Sequence, residues 1–234
     1  MRYARLRSSM PSGLKVTFRS LKYKNFRLYF SGQSLSLIGT WIQRIATPWL
    51  VYRLTGSTFL LGVVGFAGQI PTFLLAPFAG VLVDRWNRYY ILIATQILAM
   101  LQAFTLAILF FLGIIQIWEI IALSVVLGLI NAFDSPARQS LLVQMVGRKE
   151  DLGNAIALNS SMVNAARLLG PSIAGVLIAT TGEGTCFFLN GLSYLFVIVS
   201  LLFMTIDLSG FERRKGNVFK SLKDGFKYTF GFAP

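Results

Sequence analysis

The chain has 234 residues, of which 55% are hydrophobic and 13% charged, about half the charged share of a soluble domain. A water-soluble fold of this length has too little interior for so much apolar surface, so lipid is the expected solvent for most of it. The net charge of +13 lies in short segments between apolar runs, which argues against a nucleic-acid face and for charged loops beside a membrane.

Residues 1–27 carry eight Lys/Arg and no acid. They lack the short apolar region and cleavage site of a secretory signal, and read as a basic cytosolic arm at an anionic surface. Six spans then follow, each near the roughly 20 residues that a bilayer core demands. They are Leu28–Tyr52, containing Arg44; Ser57–Val83; Tyr89–Ile115; Trp118–Pro136; Leu152–Thr181, containing Arg167; and Gly184–Ile206. Residues 28–206 thus form one predicted transmembrane bundle. In 207–234, Phe219, Leu222 and Phe226 recur at helical spacing beside Lys220, Lys223 and Lys227, the pattern of an amphipathic cytosolic linker.

Orientation follows from charge. Segments 1–27, 84–88, 137–151 and 207–234 hold 19 of the 22 Lys/Arg, and the loops on the other side hold only Arg53. The positive-inside rule then puts both termini in the cytosol. A multi-pass protein of the cell (inner) membrane, bacterial in type, is expected.

The second span ends A-P-F-A-G-V-L-V (Ala76–Val83), and the fifth contains G-P-S-I-A-G-V-L-I (Gly170–Ile178), about 95 residues on. Three spans separate the copies, and they run in opposite directions. Two inverted three-helix repeats would produce this. Small residues and Pro are common in membrane helices, so chance recurrence is the competing account.

Polar residues also recur at helical spacing inside the spans. The first carries Gln33, Ser36, Thr40, Arg44 and Thr47; the fourth Ser124, Gly128, Asn131, Ser135 and Arg138; the fifth Ser160, Asn164, Arg167 and Pro171. Such stripes can line a watery cavity, with Gln33, Thr40, Arg44, Asn131, Asn164 and Arg167 as candidate substrate contacts. They can equally glue helices, since interhelical hydrogen bonds are real but often worth only about 0.6 kcal/mol. Arg44 and Arg167 favour the cavity, because a mid-bilayer charge costs at least about 2.5–3.5 kcal/mol. Any proton coupling needs a carboxylate, because the chain has no histidine. Asp84 and Asp134 are in register for it, while Glu119 and Glu183 are expected to be solvated near the outer surface.

One cysteine, Cys186, and no histidine rule out a disulfide framework and a zinc cluster within the chain. No nucleophile–base pair is visible, so the chain reads as a non-enzyme without metal or cofactor.

The stretch G-V-L-V-D-R-W-N-R (Gly80–Arg88) separates two uncharged runs, Leu54–Val83 and Tyr89–Trp118. Its arginines suit a topogenic loop. Its Asp84 does not, because acids contribute little to orientation. Gly80, Leu82, Asp84, Arg85 and Arg88 resemble the loop signature of the major facilitator superfamily, with Asn87 where Gly is usual and Tyr89 where a basic residue is usual. A-R-L-L-G-P-S-I-A-G-V-L (Ala166–Leu177) is similar to the fifth-helix signature of its proton-driven exporters through Gly170, Pro171 and Gly175. Ser124 stands where the antiporter pattern has a fourth-helix arginine. Trp41–Ser57, Gly128–Leu141 and Asn154–Ser160 look like the branch of enterobactin exporters and macrolide-efflux-like proteins.

The resemblance implies an all-α membrane protein, namely the N-terminal six-helix half of a twelve-helix transporter. It implies alternating access, a small hydrophobic or amphipathic substrate such as a siderophore or drug, and protons as the driving ion. It implies a gate of Asp84, Arg88 and Asp134, supported by Gly80, Arg85 and Arg138, that closes the cytosolic side against the other half. A fragment, a truncated frame, or two pairing copies are the readings for the missing half. A non-transporting scaffold or inert half-protein is the alternative function.

Overall fold

The computed structural model describes residues 17–205. The predicted linker 207–234 and the arm before Thr17 lie outside the described residues. A 3-10 turn, Arg19–Lys22, precedes six long helices: α1 (Lys24–Thr55), α2 (Thr58–Val83), α3 (Arg88–Phe111), α4 (Ile117–Gln144), α5 (Lys149–Thr181) and α6 (Glu183–Leu202). There is no strand among the described residues.

Five of the six helices, α2 to α6, are long and apolar enough to cross a membrane. The expectation of six such spans is therefore met only in part. At 32 residues, α1 is about 48 Å long and has the reach. Its polar stripe of Gln33, Ser36, Thr40, Arg44 and Thr47 dilutes its apolar character.

Local chemistry sets the boundaries. Gly56 takes a left-handed conformation (φ 61°) that ends α1, where a side chain would be strained. The Ser57 hydroxyl then accepts the Leu60 N–H at 3.3 Å and opens α2. Asn87 accepts the Tyr89 N–H at 3.0 Å and caps α3, which accounts for an amide where the resembling family has glycine. Gly113 (φ 69°) turns the chain two residues after α3, earlier than the predicted Ile115. The fourth helix is longer than expected and runs through Pro136 to Gln144. Proline removes one donor, but membrane helices tolerate it when neighbouring groups take up the freed carbonyl.

The helices pack as an open row: α2 on α4, α4 on α3, α3 on α6, α6 on α1, and α1 on α5. Consecutive helices α2 and α3 both rest on α4 and barely meet each other. The row ends are bare. Only 17% of the most apolar stretch of α2 and 22% of that of α5 is buried, against 44% for α3 and α6. Between helices in lipid there is little hydrophobic drive, so close van der Waals approach holds the bundle. At the α2–α4 crossing, a Cβ on Gly128 would lie 2.5 Å from the Gly68 carbonyl oxygen. At the α1–α5 crossing, a Cβ on Gly170 would collide with the Cβ of Trp41.

Apolar side chains fill the two ends. One cluster gathers Phe26, Tyr29, Leu92, Leu141, Met162 and Leu201 near the basic loops. The other gathers Ile42, Leu50, Leu106, Ile120 and Phe187 at the opposite end. Ala99, Ala103, Ile130 and Tyr194 form a smaller third cluster.

Candidate functional site

Three buried amides form a connected chain across the bundle. Asn190 Nδ2 of α6 donates to Gln43 Oε1 of α1 at 2.7 Å. Gln43 Nε2 donates to Gln102 Oε1 of α3 at 3.0 Å. Gln102 Nε2 donates to the Leu123 carbonyl of α4 at 3.2 Å. Buried amides are costly unless paired, and here each one satisfies the next.

The amides floor a cavity of about 330 Å³, within the usual range for a small-molecule site. Thr40, Arg44, Thr47, Gln69, Ser124, Asn131 and Tyr194 add further polar side chains to its lining. Of the six predicted contacts, Thr40, Arg44 and Asn131 line it. Arg167 is outside the lining but meets Arg44 at Trp41: the two guanidinium carbons lie 4.8 and 5.7 Å from that ring's centroid. Asn164 is exposed on α5 away from the cavity lining. Gln33 is buried at 2% exposure, and its Oε1 has no partner. Gln43, Gln102 and Asn190 were not anticipated. Gln96 and Gln102 are the only amides in α3, and Asn190 is the only one in α6. Those isolated polar residues were the available signal.

The gate candidates fall into two ion pairs. Arg88 Nη2 lies 2.9 Å from Asp84 Oδ1, one helical turn away. Asp84 is half exposed, and Arg88 Nε is buried without an acceptor. Asp134 is 5% exposed. It accepts from Thr95 Oγ1 at 2.9 Å, from Gln96 Nε2 at 2.6 Å, and from Arg138. Among the described contacts, no hydrogen bond or ion pair joins Asp134 to Arg88. Arg85 lies in the intervening turn. Gly80 and Gly175 face open space, whereas Gly170 makes the close approach to Trp41 and Pro171 is half-buried beside it.

Two further charged clusters were not foreseen. Glu183 was expected to be solvated, yet it is fully buried at the start of α6. Arg53 Nη2 lies 2.9 Å from its Oε2, and Arg53 also stacks over Phe110, 5.6 Å from the ring centroid. The ends of α1, α3 and α6 converge there, which takes the carboxylate out of water. At the other end, Asp151 in the first turn of α5 binds Arg19, Lys22 Nζ at 2.7 Å, and Tyr23 Oη at 2.6 Å. The Ser20 hydroxyl donates to the Asp151 carbonyl at 2.9 Å. The hydrogen bond to Asp151 raises the Lys22 ammonium above its ordinary value. Glu119 takes a simpler role and accepts the Gln116 N–H at 2.9 Å.

A cavity of paired amides thus lies within a bundle in which five of the six helices are long and apolar enough to cross a membrane. The major facilitator model described as a transmembrane secretion effector matches residues 15–231. The chain belongs to the major facilitator superfamily. Superfamily relatives include the staphyloferrin A transporter of Staphylococcus aureus, 28% identical over 75% of this chain and 44% of the relative. Macrolide efflux protein A of Streptococcus pyogenes is 27% identical over 67% of this chain and 39% of the relative. The multidrug efflux pump Tap of Mycolicibacterium fortuitum is 30% identical over 62% and 36%. The chain spans about half the length of the curated relatives it matches, or less. No solved structure matches.

Proposed function

We propose that the chain is the N-terminal half of a proton-driven exporter of small hydrophobic or amphipathic molecules, working by alternating access. The observation that carries the reading is the amide-floored cavity. It is a polar concavity of about 330 Å³ in an apolar bundle, open on the side where Arg44 and Asn131 are exposed. The relatives named as efflux proteins and a siderophore transporter point to the same substrate range.

A second six-helix unit suits the bare ends of the row. The stripe of Phe59, Phe66 and Phe73 on α2 is 77%, 65% and 78% exposed, and α5 leaves Leu168 and Val176 similarly bare. The orphaned Arg88 Nε beside Asp84 is a donor that a facing helix can satisfy. In the gate, Asp84 with Arg88 forms the outer pair and Asp134 with Arg138 the inner one; the two carboxylates are the candidate proton carriers. The chain ends lie on the cytosolic side, by the charge of the loops.

Inverted repeats fit the packing. Exchanging α1 with α4, α2 with α5 and α3 with α6 maps the row of contacts onto itself. The sequence repeat pairs Ala79 with Ala174, both fully buried, and Gly80 with Gly175, both unpacked.

The test is efflux of a macrolide and a carboxylate-bearing dye from cells making the full-length protein, with and without a protonophore. Asn131→Trp fills the cavity mouth at an exposed position and is expected to abolish efflux without lowering thermal stability. Efflux that survives both Asn131→Trp and the protonophore sinks the proposal.

A further inference from the structure

We propose that Gln96 and Thr95 of α3 form a two-state cradle that holds Asp134 of α4 either charged or carrying a proton, which makes Asp134 rather than Asp84 the proton-binding carboxyl. The inference deepens the proposed function and rests on it for the use that transport makes of the proton.

Hydrogen-bond accounting carries it. Asp134 Oδ1 accepts from Gln96 Nε2 at 2.6 Å and from Thr95 Oγ1 at 2.9 Å, while Oδ2 accepts from Arg138. Three donors suit a carboxylate, which only accepts. Two of the three are not committed to that state. The Thr95 hydroxyl has a single proton and lies 2.9 Å from two acceptors, Asp134 Oδ1 and the Leu92 carbonyl. Gln96 is 2% exposed, and its Oε1 is buried without a partner. An orphaned buried acceptor calls for an explanation, and a proton on Asp134 supplies one.

When water delivers a proton to Oδ1, the new O–H needs an acceptor. A half-turn of the Gln96 amide brings Oε1 to where Nε2 stood, and the O–H donates to it. Thr95 turns its proton to the Leu92 carbonyl. Arg138 stays on Oδ2, which still accepts as the carbonyl oxygen of the acid. The amide has one unpaired end before and after, so the rotation is close to balanced in hydrogen bonds. Loss of the proton to water reverses each move, and Asp134 keeps 5% of its surface exposed for the exchange. Asp84 lacks such a cradle, because its partner Arg88 is a guanidinium with no acceptor to offer.

The charges around the site are few. Arg138 on the same helix, Tyr29 of α1 and Tyr194 of α6 act on Asp134 through their charge. The contribution of α3 is the neutral pair Thr95 and Gln96, and α2 has no titratable side chain.

The experiment uses the full-length protein in nanodiscs, with isotope-labelled glutamine, compared by infrared difference spectroscopy at acid and alkaline pH. Acid pH is expected to raise a protonated-carboxyl band that Asp134→Asn removes and Asp84→Asn retains. One glutamine carbonyl band is expected to shift with it and to be still in Asp134→Asn and in Gln96→Met. The Asp134→Asn comparison alone links the two bands, so the result stands whether or not Gln96→Met folds. In transport, Gln96→Met is expected to lower kcat of efflux about tenfold with KM unchanged, since Gln96 is outside the cavity lining. A carboxyl band untouched by Asp134→Asn overturns the proposal, as does an Asp134 band that rises while every glutamine carbonyl stays still. Efflux indifferent to a protonophore while both bands move removes proton drive and leaves the cradle standing. Efflux abolished by a protonophore with no Asp134 band does the opposite.

Discussion

Asn190 and Gln43 lie 147 residues apart and share a hydrogen bond of 2.7 Å that ties α6 to α1 at the floor of the cavity. Gln43 uses both ends of its amide, accepting from Asn190 and donating to Gln102. Loss of either neighbour strands a buried polar atom.

Asn190→Leu is therefore expected to cost about 1–3 kcal/mol, the desolvation of the stranded Gln43 oxygen. Asn190→Ala combined with Gln43→Ala should cost less than the sum of the two single changes, because the pair is lost together. Thermal melts of the purified protein and its three variants measure the coupling. Strict additivity would show that the two amides do not depend on each other.

The two carboxylates of the proposed gate should separate by stability. Asp134 is buried against Arg138, Thr95 and Gln96, so Asp134→Ala leaves a half-buried cation without its carboxylate and should cost about 3 kcal/mol, the low end for a broken buried pair. Asp84 is half exposed, and Asp84→Asn should change stability by less than about 1 kcal/mol. Melting temperature against expression level reads both.

Transport should show the reverse emphasis. If Asp84 and Arg88 close one side of the cavity, Asp84→Asn is expected to lower efflux at least tenfold, taking a single lost charge contact as about 1.4 kcal/mol or more, in a protein that still folds. Normal efflux from a well-expressed Asp84→Asn protein removes Asp84 from the gate.

The Gly-Pro segment of α5 offers an internal comparison. Gly170→Ala drives a methyl into Trp41 and should destabilise by roughly 1–3 kcal/mol. Gly175→Ala meets open space and should be neutral or slightly stabilising, since alanine is the better helix former by about 1 kcal/mol. Paired melts of the two variants decide whether the segment packs against α1 here.

Docking of the Arg19–Lys22 turn should depend on pH. Asp151 raises the folded-state value of Lys22 above 10.5, so this contribution is complete below 10.5 and is lost as pH climbs through the raised value. Limited trypsin digestion should spare Arg19 and Lys22 at neutral pH and cut there in Asp151→Asn. Cleavage at Arg19 and Lys22 that proceeds equally in the parent and in Asp151→Asn would mean that the turn is not held by that carboxylate.

The helices were legible because lipid-length apolar runs leave few alternatives for the backbone. Their ends were less so: Pro136 looked like a stop, and only neighbouring groups decide whether a membrane helix continues through it. The stripe on α1 announced Arg44 and Thr40 because several polar residues recur on one face. Gln102 and Asn190 gave no stripe, since each stands nearly alone on its helix, and their meeting depends on how α3 and α6 cross α1. Glu183 was misread for the same reason. An acid at a helix start looks solvated until Arg53 and Phe110 are placed over it. Asp134 and Asp84 were both singled out by charge and position, with Arg88 beside Asp84, but the Thr95 and Gln96 contacts of Asp134 emerge only from the packing.

The cavity has a polarity of its own. Its lining includes Arg44 and no carboxylate, and Arg167 adds a second positive charge behind the same indole. Coulomb attraction in such a setting strengthens as water is excluded. On the proposed function, a molecule bearing carboxylate or phenolate groups would be drawn toward the ring of Trp41, and one bearing a fixed ammonium repelled from it. In the proposed transporter the two stacked guanidinium groups would thus act as a charge filter, sorting solutes by sign before shape is consulted.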